Sequence, residues 1–216
     1  MTDLLLTEVT VLTVSSTSSS IPADVRVTDG RIAAVGGVQR QPTARPTRTT
    51  RTIDGRGATV VPLVQGTLEQ LVPAAERFRD KEIAVGNEAC FVVVDRPVTQ
   101  REALGALIVR PADLRAVVLD GEVVVTRGGA EVFLEPLPEG DARLGIWIDR
   151  TGYLHQELDG RGRYDETRAG RRHAWEGQYW VRGNRVVYLD DTGFWAFGEF
   201  SDAELHHAGY VMSLGE

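Results

Sequence analysis

The sequence predicts a mainly β protein made of two unlike halves. Short β-branched runs separated by Gly, Asp and Asn recur along its 216 residues. Asp-Gly pairs stand between apolar runs at Asp29 and Asp120, and this pair is the strongest local signal for a tight hairpin turn. All tryptophans, tyrosines and histidines lie beyond residue 140. We therefore predict two β domains, residues 1–134 and 141–216, joined by a linker at 135–140.

Composition excludes several classes of partner. The chain has 31 acidic and 24 basic residues and a formal charge of −7, so a surface that follows nucleic-acid phosphates is not expected. The lone lysine, Lys81, lies in an ordinary charged stretch, and the lone cysteine, Cys90, lies in an apolar run typical of a small buried side chain. The N-terminus lacks a basic signal region, and no apolar run approaches the ~18–20 residues that span a bilayer. We expect a soluble cytoplasmic protein with no membrane partner.

The first half predicts hairpins at 25–35 and 117–125, with a polar, proline-interrupted loop at 37–51 between its early strands. A helical period in 67–80 predicts a helix that starts or kinks near Pro73, and a second short helix is expected in 99–107.

These segments resemble the amidohydrolase superfamily. "LLLTEVTVLTV", "TRTIDGRGATVVP" and "LRAVVLDGEVVVTRGG" are similar, in order and spacing, to the segments that precede and follow the family's metal-binding barrel and form a composite β-sandwich beside it. The resemblance covers residues 4–129, with Cys90 where the family usually has Asp. In "VVPLVQGTLEQL" the entering strand reaches the returning helix across only 63–66, so the barrel is missing. Because no histidine precedes His155, we expect this half to be a scaffold or a homodimer surface without metal chemistry.

The second half predicts an up-and-down meander. Turn residues at 150–152, 182–184 and 201–202 separate runs long enough for strands, and closure into an antiparallel barrel would remove the sheet edges. The stretch "RGRYDETRAGRRHAWEG" is interpreted as a solvated rim loop, a lid or a connection. "YWVRGNRVVYLDDTGFWAFGEF" makes residues 144–214 similar to a family of small proteins with a streptavidin-like barrel. That resemblance implies a streptavidin- or lipocalin-like fold and no particular activity.

Alternation along the strands assigns side chains to faces. His206 and His207 point to opposite faces, with Tyr210 on the face of His206. Asp190 shares a face with Tyr188, and Asp191 is expected to brace the following turn.

The leading functional hypothesis is a small-molecule pocket in the barrel for an apolar or aromatic metabolite. Asp190 and His207 are candidate acid/base groups for a cofactor-independent cyclisation or isomerisation. The predicted lining residues are Trp147, Tyr153, His155, Trp180, Tyr188 and Trp195.

Two alternatives remain. In the first, the chain is a structural module that pairs two copies through the N-terminal sandwich. In the second, His155, His173, His207 and Asp190 hold a metal for hydrolysis, although their spacings match no ligand motif. The leading hypothesis needs neither a metal nor another cofactor.

Overall fold

Strands dominate both halves of the protein. The computed structural model describes residues 3–13, 22–37, 49–64, 81–127, 129–130 and 134–215. They divide into two compact units: the second contains the described residues 104–111 and 134–215, and the first contains the rest.

The first unit is built on one nine-stranded mixed sheet, in the order β3-β2-β1-β5-β6-β7-β8-β9, with β4 paired to β1 off this path. Strand β1 is antiparallel to β2 and parallel to β4 and β5. The bounds are β1 Asp3–Val11, β2 Pro22–Thr28, β3 Arg31–Gly36, β4 Thr50–Asp54, β5 Thr59–Pro62, β6 Phe91–Val94, β7 Leu114–Leu119, β8 Glu122–Thr126 and β9 Gly129–Ala130.

Both predicted Asp-Gly hairpins are confirmed. Asp29 and Asp120 each have φ 51°, and Gly30 and Gly121 each have φ 78°, the positive values that a two-residue type I′ turn requires. The tips meet: Ala89 N donates to Gly30 O at 2.9 Å, and Gly121 N donates to Ala89 O at 3.0 Å. The sheet therefore curls until its two hairpins contact across a core that includes Leu4, Leu6, Val25, Ile32, Val60, Phe91, Val93 and Val118.

The short helix expected in 99–107 is confirmed as α1, Gln100–Gly105. Thr99 caps its first turn, because its Oγ1 accepts a hydrogen bond from Glu102 N at 3.2 Å. The helix expected in 67–80 lies outside the described residues. Among the described residues, no helix is long and apolar enough to cross a membrane.

The second unit is a closed antiparallel barrel of eight strands, which confirms the predicted barrel. Closure comes from the pairing of the first strand with the last, in which Trp147 faces Leu214 and Asp149 faces Met212. The strands are β10 Gly145–Asp149, β11 Leu154–Leu158, β12 Arg163–Arg168, β13 Arg171–Arg182, β14 Arg185–Asp190, β15 Trp195–Ser201, β16 Glu204–His207 and β17 Tyr210–Leu214.

Two expectations for this half are wrong. The segment interpreted as a rim loop forms β12 and the start of β13, because a barrel strand tolerates charged residues on its outer face. The run expected to be one last strand turns at Ala208, where φ is 50°, and Gly209. His207 consequently pairs with Tyr210, and these two residues share a face.

The segment 135–140, expected to be a linker, packs on the barrel. Val181 N donates to Glu135 O at 2.8 Å, and Leu137 is buried in the barrel core. Tyr179 donates its hydroxyl to Asp159 O at 2.6 Å at the same end. This end, where the chain enters β10, is called the proximal end; the turns at 150–153, 169–170 and 208–209 form the distal end.

Contact between the two hairpin tips makes Gly121 intolerant of a side chain. A Cβ at Gly121 would lie 2.6 Å from Gly30 Cα, whereas a Cβ at Gly57, which has the same φ of 78°, would meet nothing within 4 Å. Gly57→Ala should cost about 1–2 kcal/mol through its positive φ alone, and Gly121→Ala should cost about 1–3 kcal/mol more through overpacking. Urea unfolding measures both variants, and equal costs would show that the tips do not touch in solution.

Candidate functional site

The interior of the barrel is filled by alternate side chains from all eight strands. An eight-stranded barrel has room inside only for its own side chains or for one small ligand. The apolar part of this lumen is mainly aromatic, with leucines and one methionine among the rings. Its buried members include Trp147, Leu154, Leu158, Tyr164, Tyr179, Tyr188, Phe200, Leu205 and Met212.

A group of polar side chains interrupts this apolar filling. Gln156, Glu166, Tyr188 and His207 are each at most 4% exposed, and Arg168 adjoins them from the distal end. These five residues are called the lumen cluster. Buried polar groups are costly unless they are paired, so a cluster in a core of this size requires a reason.

Glu166 lies at the centre of the lumen cluster. Its Oε1 contacts His207 Nε2 at 3.2 Å, and its Oε2 accepts from Arg168 Nε at 2.8 Å and lies 2.7 Å from Arg168 Nη2. Burial raises the pKa of Glu166, but the hydrogen bond from His207 and the charges of His207 and Arg168 together outweigh it and lower the pKa below its ordinary value. The carboxylate is therefore held in its ionised form near neutral pH.

The backbone of β15 fixes the imidazole of His207. Nδ1 lies 3.0 Å from Phe197 O. A carbonyl oxygen only accepts, so Nδ1 carries a hydrogen and donates it. Nε2, on the other side of the ring, lies 3.2 Å from Oε1 of Glu166. The imidazole is therefore held between the main chain of β15 and a buried carboxylate, as a histidine–carboxylate pair inside the lumen.

Two members of the lumen cluster have poorly bonded polar atoms. Tyr188 OH and both Oε1 and Nε2 of Gln156 are buried, and none of the three makes a hydrogen bond of good geometry among the described residues, although the Gln156 amide lies close enough to the Tyr188 hydroxyl to interact with it. Burial raises the pKa of Tyr188 well above its ordinary value, with Glu166 acting in the same direction and the neighbouring Gln156 amide in the opposite one. The Tyr188 ring lies 4.4 Å from the His207 ring, centroid to centroid.

The two ends of the barrel differ. At the proximal end, Arg143 lies 5.1 Å from the centroid of the Phe200 ring, and its carbonyl accepts from Trp147 Nε1 at 3.0 Å. With Leu137 buried beside them, these groups close that end. At the distal end, the Arg168 side chain is 27% exposed while its partner Glu166 is 2% exposed. Arg168 thus connects the buried cluster to the solvent.

Comparison with known proteins finds a family match for this barrel. Residues 140–214 match the model of a family described as Agrobacterium tumefaciens protein Atu4866. The barrel half of the chain belongs to this family. The solution structure of the protein Atu4866 from Agrobacterium tumefaciens is 42% identical over 39% of this chain and 100% of that one, with a TM-score of 0.34. No curated protein matches the chain. The Atu4866 match begins at residue 140, so it concerns the barrel and not the first unit.

Three of the predicted site residues lie in the lumen of this Atu4866-family barrel: Trp147, Tyr188 and His207. The others do not join them. Tyr153 is 44% exposed and stacks on Tyr210 at 6.1 Å.

Trp180 and Trp195 stack on each other at 6.2 Å on the outer face of the barrel wall. Trp195 is nevertheless buried, because Val109 and Trp195 exchange two backbone hydrogen bonds of 2.8 Å and the segment 104–111 covers this face.

The proposed metal ligands are divided by the barrel wall. His155 and His173 line a shallow outer groove of about 410 Å³ together with Asp165, whereas His207 lies in the lumen. His173 Nδ1 lies 2.6 Å from Asp165 Oδ2 and 3.4 Å from Glu176 Oε2 in a polar cluster on the outer face. His155, His173 and His207 therefore do not converge on one ion.

Neither of the two adjacent aspartates has the role expected of it. Asp190 braces the turn: its Oδ1 accepts from Thr192 N at 2.8 Å, Thr192 Oγ1 at 2.7 Å and Phe194 N at 2.9 Å. Asp191 forms a two-pronged ion pair with Arg163, at 2.8 and 2.6 Å, on the outer surface.

Sequence reasoning missed Gln156, Glu166 and Arg168. Glu166 and Arg168 lie in β12, the segment that was interpreted as a loop. The available signal was that Tyr164, Glu166 and Arg168 occupy every second position, which in a strand places all three on the same face.

The roles of the two aspartates give a matched prediction. Asp190→Ala should lower the free energy of unfolding by about 1.5–3 kcal/mol, because backbone and hydroxyl donors lose a charged acceptor. Asp191→Ala should cost less than about 1 kcal/mol, as for other exposed ion pairs. Chemical denaturation measures both, and a larger loss at Asp191 would contradict this assignment.

Glu166 predicts a pH-dependent variant. Its lowered pKa means that its contribution to stability is complete above the unfolded value of about 4.3 and is lost as the pH falls through the lower folded value. Glu166→Gln should cost about 3–5 kcal/mol at pH 7, because Arg168 and His207 lose their buried partner, and the difference should shrink below about pH 4. Unfolding curves from pH 3 to 8 test this, with Glu157→Gln on the exposed face of β11 as control. A deficit independent of pH would contradict it.

Proposed function

We propose that the Atu4866-family barrel binds a small molecule in its lumen, with the lumen cluster as the polar contact surface. The observation that carries this proposal is a set of three buried polar atoms, on Gln156 and Tyr188, that make no hydrogen bond of good geometry among the described residues. They lie beside a buried histidine–carboxylate pair and below a partly exposed arginine.

Energetics favour a ligand over a purely structural role. A buried polar atom left without a hydrogen bond costs about 1–3 kcal/mol. A core selected only for stability would have apolar residues at Gln156 and Tyr188, since well-packed apolar groups of similar size are neutral or stabilising. A ligand that supplies the missing donors and acceptors recovers this energy on binding and gains affinity from it.

The chemistry available at the site is proton transfer. His207 keeps its Nδ1 hydrogen on Phe197 O, which leaves Nε2, beside Glu166, as the nitrogen available for proton transfer. Such a pair, in a lumen shielded from bulk solvent, suits general acid/base catalysis of a cofactor-independent isomerisation or cyclisation. Because Asp190 is engaged by its own turn, we assign the acid/base role to His207 with Glu166.

For the first unit we propose a scaffold role, as a composite sandwich of amidohydrolase type without the metal-binding barrel. A second candidate function is the pairing of two chains through this unit. Strand β3 lies at one end of the sheet order, and segment 86–88 bonds to its first two residues, with Ile32 N donating to Asn87 O at 2.9 Å. The side chains of Ala33 and Ala34 further along are exposed, and this part of the strand could accept a second strand. Analytical ultracentrifugation of the full chain would detect such a dimer.

Tyr188→Phe tests the lumen proposal. Without ligand, the variant should be more stable than the wild type by about 1 kcal/mol, because it removes an unpaired buried hydroxyl. Metabolites that stabilise the wild type in a thermal-shift screen should stabilise the variant less. The control is Tyr153→Phe, whose ring is exposed. A Tyr188→Phe variant that is less stable than the wild type would show that the hydroxyl is already satisfied, and the case for a lumen ligand would fail.

A further inference from the structure

We propose that the outer wall of the barrel binds a divalent transition-metal ion, such as Zn²⁺, through Asp165, His173 and Glu176. These three residues are called the outer cluster. Their ligand atoms, one ring nitrogen and two carboxylate oxygens, all lie within 4.8 Å of one another. The site is separate from the lumen and does not depend on the binding function proposed above.

A bulge in β13 brings His173 to the outer face. In a regular strand, His173 and Glu176 would point to opposite faces, because they are three positions apart. The pairing of β12 with β13 shifts register between Glu166 and Arg168, and His173 adopts a positive φ of 54°. Its Nδ1 consequently lies 2.6 Å from Asp165 Oδ2 and 3.4 Å from Glu176 Oε2. Bulges commonly re-aim a side chain in this way.

Strand register also places carboxylates directly opposite one another. Glu157 pairs with Asp165, and Asp165 pairs with Glu176, so three neighbouring strands present a row of acidic side chains. Like charges that face each other across strands destabilise a sheet. This repulsion does not depend on the charge of His173, and a bound cation offsets it.

Asp165 has an oxygen atom that the outer cluster does not satisfy. Its Oδ1 is buried, although the side chain as a whole is 33% exposed, and this atom has no hydrogen-bond partner among the described residues. A buried carboxylate oxygen without a donor is costly. Carboxylates bind cations through one oxygen or through both. Coordination of a cation by Asp165 therefore removes a cost that the protein alone leaves in place.

Space beside the outer cluster allows a further ligand on the ion. Asp165 and His173 line the outer groove of about 410 Å³, together with His155, Thr167 and Arg172. A metal ion held by three protein ligands keeps a coordination position for water or a small molecule. One imidazole and two carboxylates suit zinc and its neighbours in the first transition row better than Mg²⁺, which is bound mainly by oxygen.

A second group of ligand-type side chains, Glu88, Cys90 and Asp120 in the first unit, is less suited to an ion. Its buried thiol is already engaged, because Asp120 N donates to Cys90 Sγ at 3.4 Å and Sγ contacts Asp120 Oδ1 at 3.6 Å. The group nevertheless has to be separated from the outer cluster by experiment, since thiolates are good zinc ligands.

Isothermal titration of the metal-free full chain with ZnCl₂ at pH 7 tests the proposal. We expect one equivalent of Zn²⁺ to bind with a dissociation constant below about 100 μM, and Mg²⁺ to bind at least about tenfold more weakly. His173→Asn and Glu176→Gln should each weaken Zn²⁺ binding about ten- to a hundredfold. Asparagine is chosen because it tolerates a positive φ, and thermal unfolding checks that both variants are folded.

His206→Gln is the matched control. His206 faces a single carboxylate, Glu204, at 3.2 Å, so its replacement should leave the Zn²⁺ affinity unchanged. Cys90→Ser should also leave it unchanged. Undiminished Zn²⁺ binding in His173→Asn and Glu176→Gln overturns the proposal, and a simultaneous loss in Cys90→Ser would place the ion in the first unit. A wild-type chain that binds no Zn²⁺ below about 1 mM overturns it as well, and so does equal affinity for Mg²⁺, because the imidazole would then not be a ligand.

Discussion

The pairing of β10 with β17 is the constraint on which the second unit depends. It turns a meander with two free edges into a ring, in which every strand has a neighbour on both sides. Once the ring is closed, every second side chain of each strand points into one small interior. That interior is shielded from bulk solvent, so a polar group inside it depends mainly on hydrogen bonds from other members of the same ring.

Most of the lumen cluster meets this demand internally. Glu166 has a partner on each oxygen, and His207 has one on each nitrogen, one of them the main chain of the adjoining strand. Gln156 and Tyr188 meet it less well, because their polar atoms make no hydrogen bond of good geometry. The polar interior is therefore fully paired around Glu166 and only weakly bonded at Gln156 and Tyr188. The same closure that isolates these groups makes their charge effective, since screening by solvent is weak there.

The sequence was most informative where structure is set by adjacent residues. Asp29-Gly30 and Asp120-Gly121 define their turns through the backbone angles that those residue types tolerate, and both hairpins were predictable. The turn at Ala208 was not, because alanine rarely adopts a positive φ and tertiary pairing alone imposes it there. Strand β12 was hidden by its charged outer face, and with it Glu166 and Arg168. Trp180 and Trp195 were placed in the lumen because aromatic strand positions suggest an interior, yet the covering segment 104–111 gives their side of the wall an interior of its own. For Asp190 and Asp191, a one-residue difference in register decided which carboxylate faces the turn.

The residues that close the proximal end determine how much of the chain is needed for a barrel with that end closed. Leu137 and Arg143 precede the first strand of the barrel, yet their side chains help to close its proximal end. The segment that leads into the barrel therefore also closes its proximal end. A gene fusion that joined this barrel to another partner at Gly145 would keep the strands but lose the residues that close the proximal end. A junction ahead of Glu135 would keep both.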